Sequence, residues 1–269
     1  MYWLRIVIPA VVITVMIAAL PGCKTTSVST KGTMWEREMG AVAETPLSPN
    51  EAHTALNLKV DLIPKGTYGR RIFRELKPQY ITIHSTQNPT GDAYAHAKAL
   101  KRGSLRGGVI GYLCWHFTVQ DDAVIQHIPT DERGEHADFD GPGNRYSIGI
   151  EMCEHKGNDQ VATMDRTAEL AATLMYHNKI PIDNIRAHYH WARQGYETPN
   201  KDCPHFLLEN GQPGTTWRWF VGRINRHHQR LIKYDEILLE QKQQEEKERR
   251  AREMVQHYIH RFSLFAGLG

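Results

Sequence analysis

Between residues 80 and 188 the chain alternates short β-rich runs with amphipathic ones, and this alternation limits its possible folds more than any other feature. Tyr80-Ile-Thr-Ile-His84 reads as a strand, and a helix follows over about residues 93 to 100. Residues 113 to 119 and 123 to 128 read as two strands joined by Gln120-Asp-Asp122, the turn residues of a hairpin. Ser147-Ile-Gly-Ile-Glu-Met-Cys153 is a further strand. Met164, Ala168, Ala171, Leu174 and Met175 then recur at the three-and-four spacing of an amphipathic helix over residues 163 to 178. Ile185-Arg-Ala-His188 is expected to be the last strand. Strands and helices mixed in this order predict an α/β fold, a single domain with a central mixed sheet flanked by helices.

The two ends differ from this middle. Arg5 precedes an uncharged apolar run from Ile6 to Leu20, closed by Pro21-Gly22-Cys23, with the length and flank of a signal-peptide core. Pro9 interrupts the run, which is shorter than the roughly 20 residues of a spanning helix, so a permanent membrane anchor is the weaker reading. Leu20-Pro-Gly-Cys23 resembles a bacterial lipobox, which implies lipidation of Cys23; ordinary signal cleavage near Gly22 is the alternative. The expected layout is therefore a signal peptide over 1–22, a lipid-anchored Ser/Thr/Gly/Pro-rich tether over 23–50, a catalytic domain over 51–232 and a C-terminal helical extension over 233–269. In that extension Glu245/Arg249, Glu246/Arg250 and Glu248/Arg252 place acid four residues before base, which supports a solvated helix. Met254, Val255, Tyr258, Ile259 and Phe262 form an apolar stripe expected to dock on the body or on a neighbour.

Charge excludes one class of partner. Lys and Arg number 33 against 30 Asp and Glu, a surplus of +3 that is too slight to neutralise a polyphosphate backbone, so no nucleic-acid partner is expected. Fifteen His are many, and they direct attention to metal or proton-transfer chemistry, whereas four Cys are too few for a disulfide framework. His84 and His188 each close a predicted strand, where side chains open to a cleft. Cys203 lies in Lys201-Asp-Cys-Pro-His205, fifteen residues after His188. Two imidazoles and a thiolate are a three-ligand zinc set with a fourth position for water. Glu151 interrupts an otherwise apolar strand, where a carboxylate is costly unless it faces a cleft or polar partners.

Five phrases stand in the order seen in one family: Ile81-Thr-Ile-His-Ser-Thr86 with Asn88-Pro89, Trp115-His-Phe-Thr-Val119 before Asp121-Asp122, Ile128-Pro129, Ser147-Ile-Gly-Ile-Glu-Met-Cys153 and Lys201-Asp-Cys-Pro204. Over about residues 76 to 208 the chain resembles the zinc-dependent N-acetylmuramoyl-L-alanine amidases, the type-2 family related to phage lysozyme-like amidases and peptidoglycan recognition proteins. The resemblance implies that His84, His188 and Cys203 hold Zn2+ and that Glu151 and Lys201 are the catalytic pair. Zinc lowers the pKa of its water to about 7, a nearby carboxylate takes the proton, and an ammonium stabilises the developing oxyanion. Trp115 and His136 are the expected substrate-side residues, while His116, His190 and His205 are read as structural. In many members the lysine follows the second histidine after about half as many residues; here the stretch from Trp191 to Asn200 is longer.

These readings describe an exported enzyme, lipid-anchored to the bacterial envelope (periplasm or outer membrane in a Gram-negative host), that cleaves the amide between N-acetylmuramic acid and L-alanine of peptidoglycan or muropeptides. The alternatives are a non-catalytic peptidoglycan-binding protein and a zinc peptidase acting on another exported amide. If Trp115 and Glu151 both face the cleft, strand alternation sends Cys114 to the opposite face and keeps Cys153 on the face of Glu151. No disulfide between the two is then expected.

Overall fold

The computed structural model describes residues 33–192 and 201–266. The expected signal segment, Cys23 and most of the lengthened loop before Lys201 lie outside the described residues. In chain order the elements are α1 (Met34–Met39), α2 (Pro49–Ala55), β1 (Leu58–Val60), β2 (Tyr80–Ser85), α3 (Ala93–Lys101), β3 (Phe117–Val119), β4 (Val124–Gln126), α4 (Pro142–Tyr146), β5 (Ser147–Met152), α5 (Gln160–Asn178), β6 (Ile185–Ala187) and α6 (Thr215–Ala266). The described strands form one mixed sheet in the order β1-β4-β3-β5-β2-β6, parallel throughout except for the β3–β4 hairpin. The expected α/β fold with helices flanking a mixed sheet is the one observed. Among these residues no helix is long and apolar enough to cross a membrane.

Alternation along β2 and β5 divides the sheet into a core face and a chemical face. Ile81, Ile83, Ile148, Ile150 and Met152 point into the main core, against Met164, Ala168 and Ala171 of α5 and Trp217, Phe220 and Ile224 of α6. Burying each such large apolar side chain stabilises the fold by about 1.5–3 kcal/mol. The alternate residues Thr82, His84, Ser147, Gly149 and Glu151 take the other face. Helix ends are fixed locally: Asp92 and Asp159 cap α3 and α5 by accepting from the backbone N–H of Ala95 and Ala162. Ser48 and Glu51 form a capping box on α2.

The structure departs from the sequence expectations at three places. Residues 33 to 50, expected to lie within the tether, are folded against the body. The Trp35 indole N–H donates to Phe206 O, Arg223 to Gly40 O, and Arg230 to Thr45 O, while Leu47 N donates to Arg230 O. Trp35 and Met39 also pack against the main core and Val42 is buried, but these few apolar residues are too scattered to show as a periodic run in the sequence. Second, residues 113 to 116 are not strand: Cys114 forms an isolated bridge with Glu135, and β3 begins at Phe117. Third, the terminal helix begins at Thr215, not 233, because Trp217, Phe220, Ile224 and Leu231 carry a buried stripe ahead of the polar stretch. Met254, Val255, Tyr258 and Ile259, expected to dock, are about 60% exposed. The charged stretch does pair along the helix, Arg250 with Glu246 and Arg249 with Glu246 and Glu253.

Beneath the loops of the β3–β4 side, Arg70 and Glu132 form a buried two-pronged ion pair, with Nε–Oε2 2.7 Å and Nη2–Oε1 2.5 Å, and Arg70 also donates to Ile63 O. Removing one member leaves a charge without its partner in a dry site. Glu132→Ala is expected to lower unfolding stability by about 3–5 kcal/mol, read as a lower denaturant midpoint; an unchanged midpoint would show that Arg70 finds water or another acceptor.

Candidate active site

Three neighbouring strands deliver the site. In a parallel arrangement the C-terminal strand ends open together on one side of the sheet. His84 and Glu151 lie near the C-terminal ends of β2 and β5 and are direct partners in the parallel register. β6 pairs with β2 on its other side, and His188 follows it immediately, in a single helical turn. Cys203 arrives from the loop before Pro204, and its Sγ accepts from Ser85 N at 3.3 Å.

The result is a compact donor cluster. One ligand atom each from His84, His188 and Cys203 lies within 4.8 Å of the others, and all three residues are buried. His84 Nδ1 is 2.8 Å from His188 Nδ1 and 4.0 Å from Cys203 Sγ. Burial, together with neighbouring His188, His136 and Lys201, holds the His84 imidazole far below its ordinary pKa, which keeps it neutral as a metal ligand must be. Burial also raises the Cys203 thiol, and the adjacent Glu151 carboxylate adds to the effect. Two imidazoles and a thiol converging on one point suit a tetrahedral N/S-loving cation. The cluster fits a zinc site.

Glu151 stands beside the cluster with Oε1 3.8 Å from His84 Nδ1 and its side chain 14% exposed. Burial first, and then the charge of Glu154, pushes its carboxyl up to about 8, while the Lys201 ammonium pulls the other way. Its Oε2 is buried with no hydrogen-bond partner among the described residues. A carboxylate so placed can accept a proton from a water or hand one to a leaving group. Lys201 lines the same cleft, which has a volume of about 960 Å³.

Trp115 and His136 also reach this cleft, each already committed to protein partners. The Trp115 indole N–H donates to Thr118 Oγ1, so only its ring is offered to a ligand. His136 lies behind the donor cluster: Nδ1 is 3.0 Å from His84 Nε2 and Nε2 is 3.4 Å from Ser147 O. Both its nitrogens are engaged with protein groups. Of the remaining histidines, His116 is tied to Glu132 O and Gly149 N under the sheet, and His190 to the backbone of Ala187. His205 sits at the rim, 3.3 Å from Glu154. Cys114, Cys153 and Cys203 are all free thiols, and Cys153 packs with Ala93 and Ala97 of α3.

Sequence reasoning missed the far wall of the cleft, to which His96 and Ala99 of α3 and Leu105, Gly108 and Leu113 of the following loop contribute. The cluster of glycines from 103 to 111 is the signal that could have pointed there, since it marks a loop turning sharply beside a cavity.

The family profile described as N-acetylmuramoyl-L-alanine amidase (Amidase_2) matches residues 74–206, the stretch that contains every residue of this cluster. The solved structure of the catalytic domain of XlyA is 37% identical with a TM-score of 0.52, covering 62% of this chain and 99% of that one. The chain belongs to the N-acetylmuramoyl-L-alanine amidase (Amidase_2) family. A second solved member, a mutant endolysin from Bacillus subtilis, gives 37% identity and a TM-score of 0.53 over 63% of this chain and 99% of its own. Among curated family members, the amidase XlyA of Bacillus subtilis (strain 168) is 38% identical over 172 residues, 63% of this chain and 51% of XlyA. The amidase CwlH of the same organism is 34% identical over 174 residues, 63% of this chain and 62% of CwlH. The chain thus spans between half and two thirds of the length of these two curated relatives.

Proposed function

We propose that the protein is a zinc-dependent peptidoglycan hydrolase that cleaves the amide between the lactyl group of N-acetylmuramic acid and the L-alanine of the stem peptide. One observation carries the reading: two imidazoles, a thiol and an unpartnered carboxylate oxygen converge at the C-terminal ends of three adjacent strands, inside one cleft. His84, His188 and Cys203 would hold the ion. When bound, zinc supplies Lewis acidity, polarising a carbonyl and lowering the pKa of water towards 7. Glu151 takes the proton of the attacking water as its oxygen bonds to the lactyl carbonyl carbon. Lys201 offsets the negative charge that develops on the carbonyl oxygen. As the C–N bond breaks, Glu151 returns its proton to the departing alanine nitrogen, so one water is consumed and a carboxylic acid and an amine are produced.

Mass spectrometry of defined muropeptides after incubation with the zinc-loaded chain tests this directly. Release of an intact stem peptide beginning with L-alanine is the expected product. Binding without cleavage would indicate a recognition protein, and cleavage between amino acids of the stem would indicate a peptidase. Lys201→Met is expected to lower kcat by roughly 10²-fold, the scale on which loss of one oxyanion donor acts, with KM little changed. An unchanged kcat with a raised KM would make Lys201 a substrate-positioning group.

The same proposal puts the enzyme outside the cytoplasm, with residues 1–22 as a signal peptide, Cys23 lipidated and a tether after it. The support is the apolar run from Ile6 to Leu20 and its closing Pro21-Gly-Cys23. Two acyl chains make membrane attachment stable where one is marginal. Cys23→Ala is expected to move the protein from the membrane to the soluble fraction with muropeptide cleavage intact. An unmodified Cys23 on a soluble wild-type chain would refute the anchor and leave the amidase reading standing.

A further inference from the structure

A neutral imidazole ligates through the nitrogen that carries a lone pair, and the partner of the other nitrogen decides which one that is. For His188 Nε2 that partner is a carbonyl. Its Nε2 lies 3.0 Å from Ala137 O, a carbonyl that can only accept, so the proton resides on Nε2 and the lone pair on Nδ1. His84 has a histidine behind it, and two imidazoles alone leave the direction of their bond open. The next link closes it. His136 Nε2 faces Ser147 O at 3.4 Å and donates to it, so His136 Nδ1 is an acceptor and His84 Nε2, 3.0 Å away, is the donor. The lone pair of His84 is then on Nδ1, directed at His188 Nδ1 and Cys203 Sγ.

Both controlling acceptors come from two consecutive residues, His136 and Ala137, and a single side chain holds that step. Asn144, 1% exposed, accepts from both His136 N and Ala137 N through Oδ1 at 2.8 Å each, and its Nδ2 donates to Phe139 O at 2.7 Å. Asp138 closes the loop by accepting from the backbone N–H of Gly143 and Asn144. On the sheet side Gly149 makes room, since a Cβ there would come within 2.7 Å of the His136 ring. None of Asn144's hydrogen bonds runs to the three clustered residues, and nothing in the sequence marks it as part of the chemistry.

We propose that Asn144 and His136 are positioning residues. Asn144 fixes the His136–Ala137 step, and that step sets both histidine ligands in the Nε2–H form, with both Nδ1 atoms turned to the metal. The proposal rests on the zinc reading of the cluster: two lone pairs facing each other across 2.8 Å need a cation between them, so the proton positions it assigns are those of the zinc-bound chain.

Long-range 1H–15N spectra of the zinc-loaded full chain, labelled at histidine, read those positions directly. With zinc bound, His84 and His188 are both expected to carry their proton on Nε2 and to show a metal-shifted Nδ1; a metal-shifted Nε2 or an Nδ1–H at either residue would overturn the proposal. Variants then separate the links. His136→Leu is expected to weaken zinc binding roughly 10–100-fold in chelator competition, the range for loss of an outer partner of a ligand, and to shift the Nε2–H resonance of His84 alone. His136→Asn, whose Oδ1 takes the acceptor position of Nδ1, is expected to restore affinity to within a few-fold. Asn144→Ala is expected to disturb both histidines at once. Folded His136→Leu and Asn144→Ala chains with wild-type zinc affinity would overturn it, and if either variant fails to fold the wild-type spectrum still decides. A wild-type chain that binds no zinc would instead refute the zinc reading, which metal analysis tests separately.

Discussion

Glu151→Gln is expected to bind zinc as the wild type does and to turn over muropeptide roughly 10²-fold more slowly or worse, the scale on which loss of a general base acts. The amide has the same shape and cannot take a proton. Main-chain pairing of β5 with β2 fixes its place opposite His84, so the substitution leaves the donor cluster undisturbed. The same change has a second, opposite effect on stability. Burial raises the Glu151 carboxyl to about 8 in the fold, against about 4.3 for an unperturbed glutamate. Between those values the folded chain holds a proton that the unfolded chain has released, so this group makes stability fall as pH rises through that window and level off above it. Glutamine removes the loss. The metal-free variant should therefore melt at a higher temperature than the wild type at pH 8, with the difference shrinking towards pH 5. Equal melting temperatures at pH 8 would mean that Glu151 is already charged and well solvated. Retained turnover would assign the base elsewhere.

Loss of the ligands has the other large effect. Cys203→Ser, His84→Ala and His188→Ala are each expected to reduce zinc well below the one ion per chain of the wild type and to abolish cleavage. The affinity loss should exceed the roughly 10–100-fold that outer partners of a ligand contribute, because a thiolate or an imidazole is removed outright. Cys203→Ser is the most informative of the three, since it keeps the size of the side chain and exchanges a soft donor for a weak one. Metal analysis at a buffered free-zinc concentration checks this. Full zinc and full activity in both His84→Ala and Cys203→Ser would remove the cluster from the mechanism.

Most of this site could be read in the sequence because strand ends carry it. Tyr80–Ser85 and Ser147–Met152 each announce themselves by a run of isoleucines, and the polar residues that interrupt those runs, His84 and Glu151, mark the chemical face. What stayed hidden is what depends on contacts far apart in the chain. β1 has three residues and an exposed, alternation-poor pattern, so it is strand only because β4 offers it a free edge. Arg70 and Glu132 look like surface charges until the fold buries them together. Asn144 sits in a turn-rich stretch where an asparagine needs no explanation, and its hold on His136 and Ala137 is visible only once that loop has closed. The helix from Thr215 was misplaced for a related reason: its buried stripe is meaningful only with α5 as a partner.

The pairing of His84 with Glu151 across β2 and β5 also determines which insertions and deletions such a chain tolerates. Their juxtaposition is set by main-chain ladders, so residues can enter or leave the connection between them without moving either one. A single-residue deletion within β2 or β5 is different in kind. It turns every alternate side chain over, sending an isoleucine into the cleft and a histidine or a carboxylate into the core. Length polymorphism among such enzymes should therefore accumulate in the loops and stop sharply at the boundaries of these two strands.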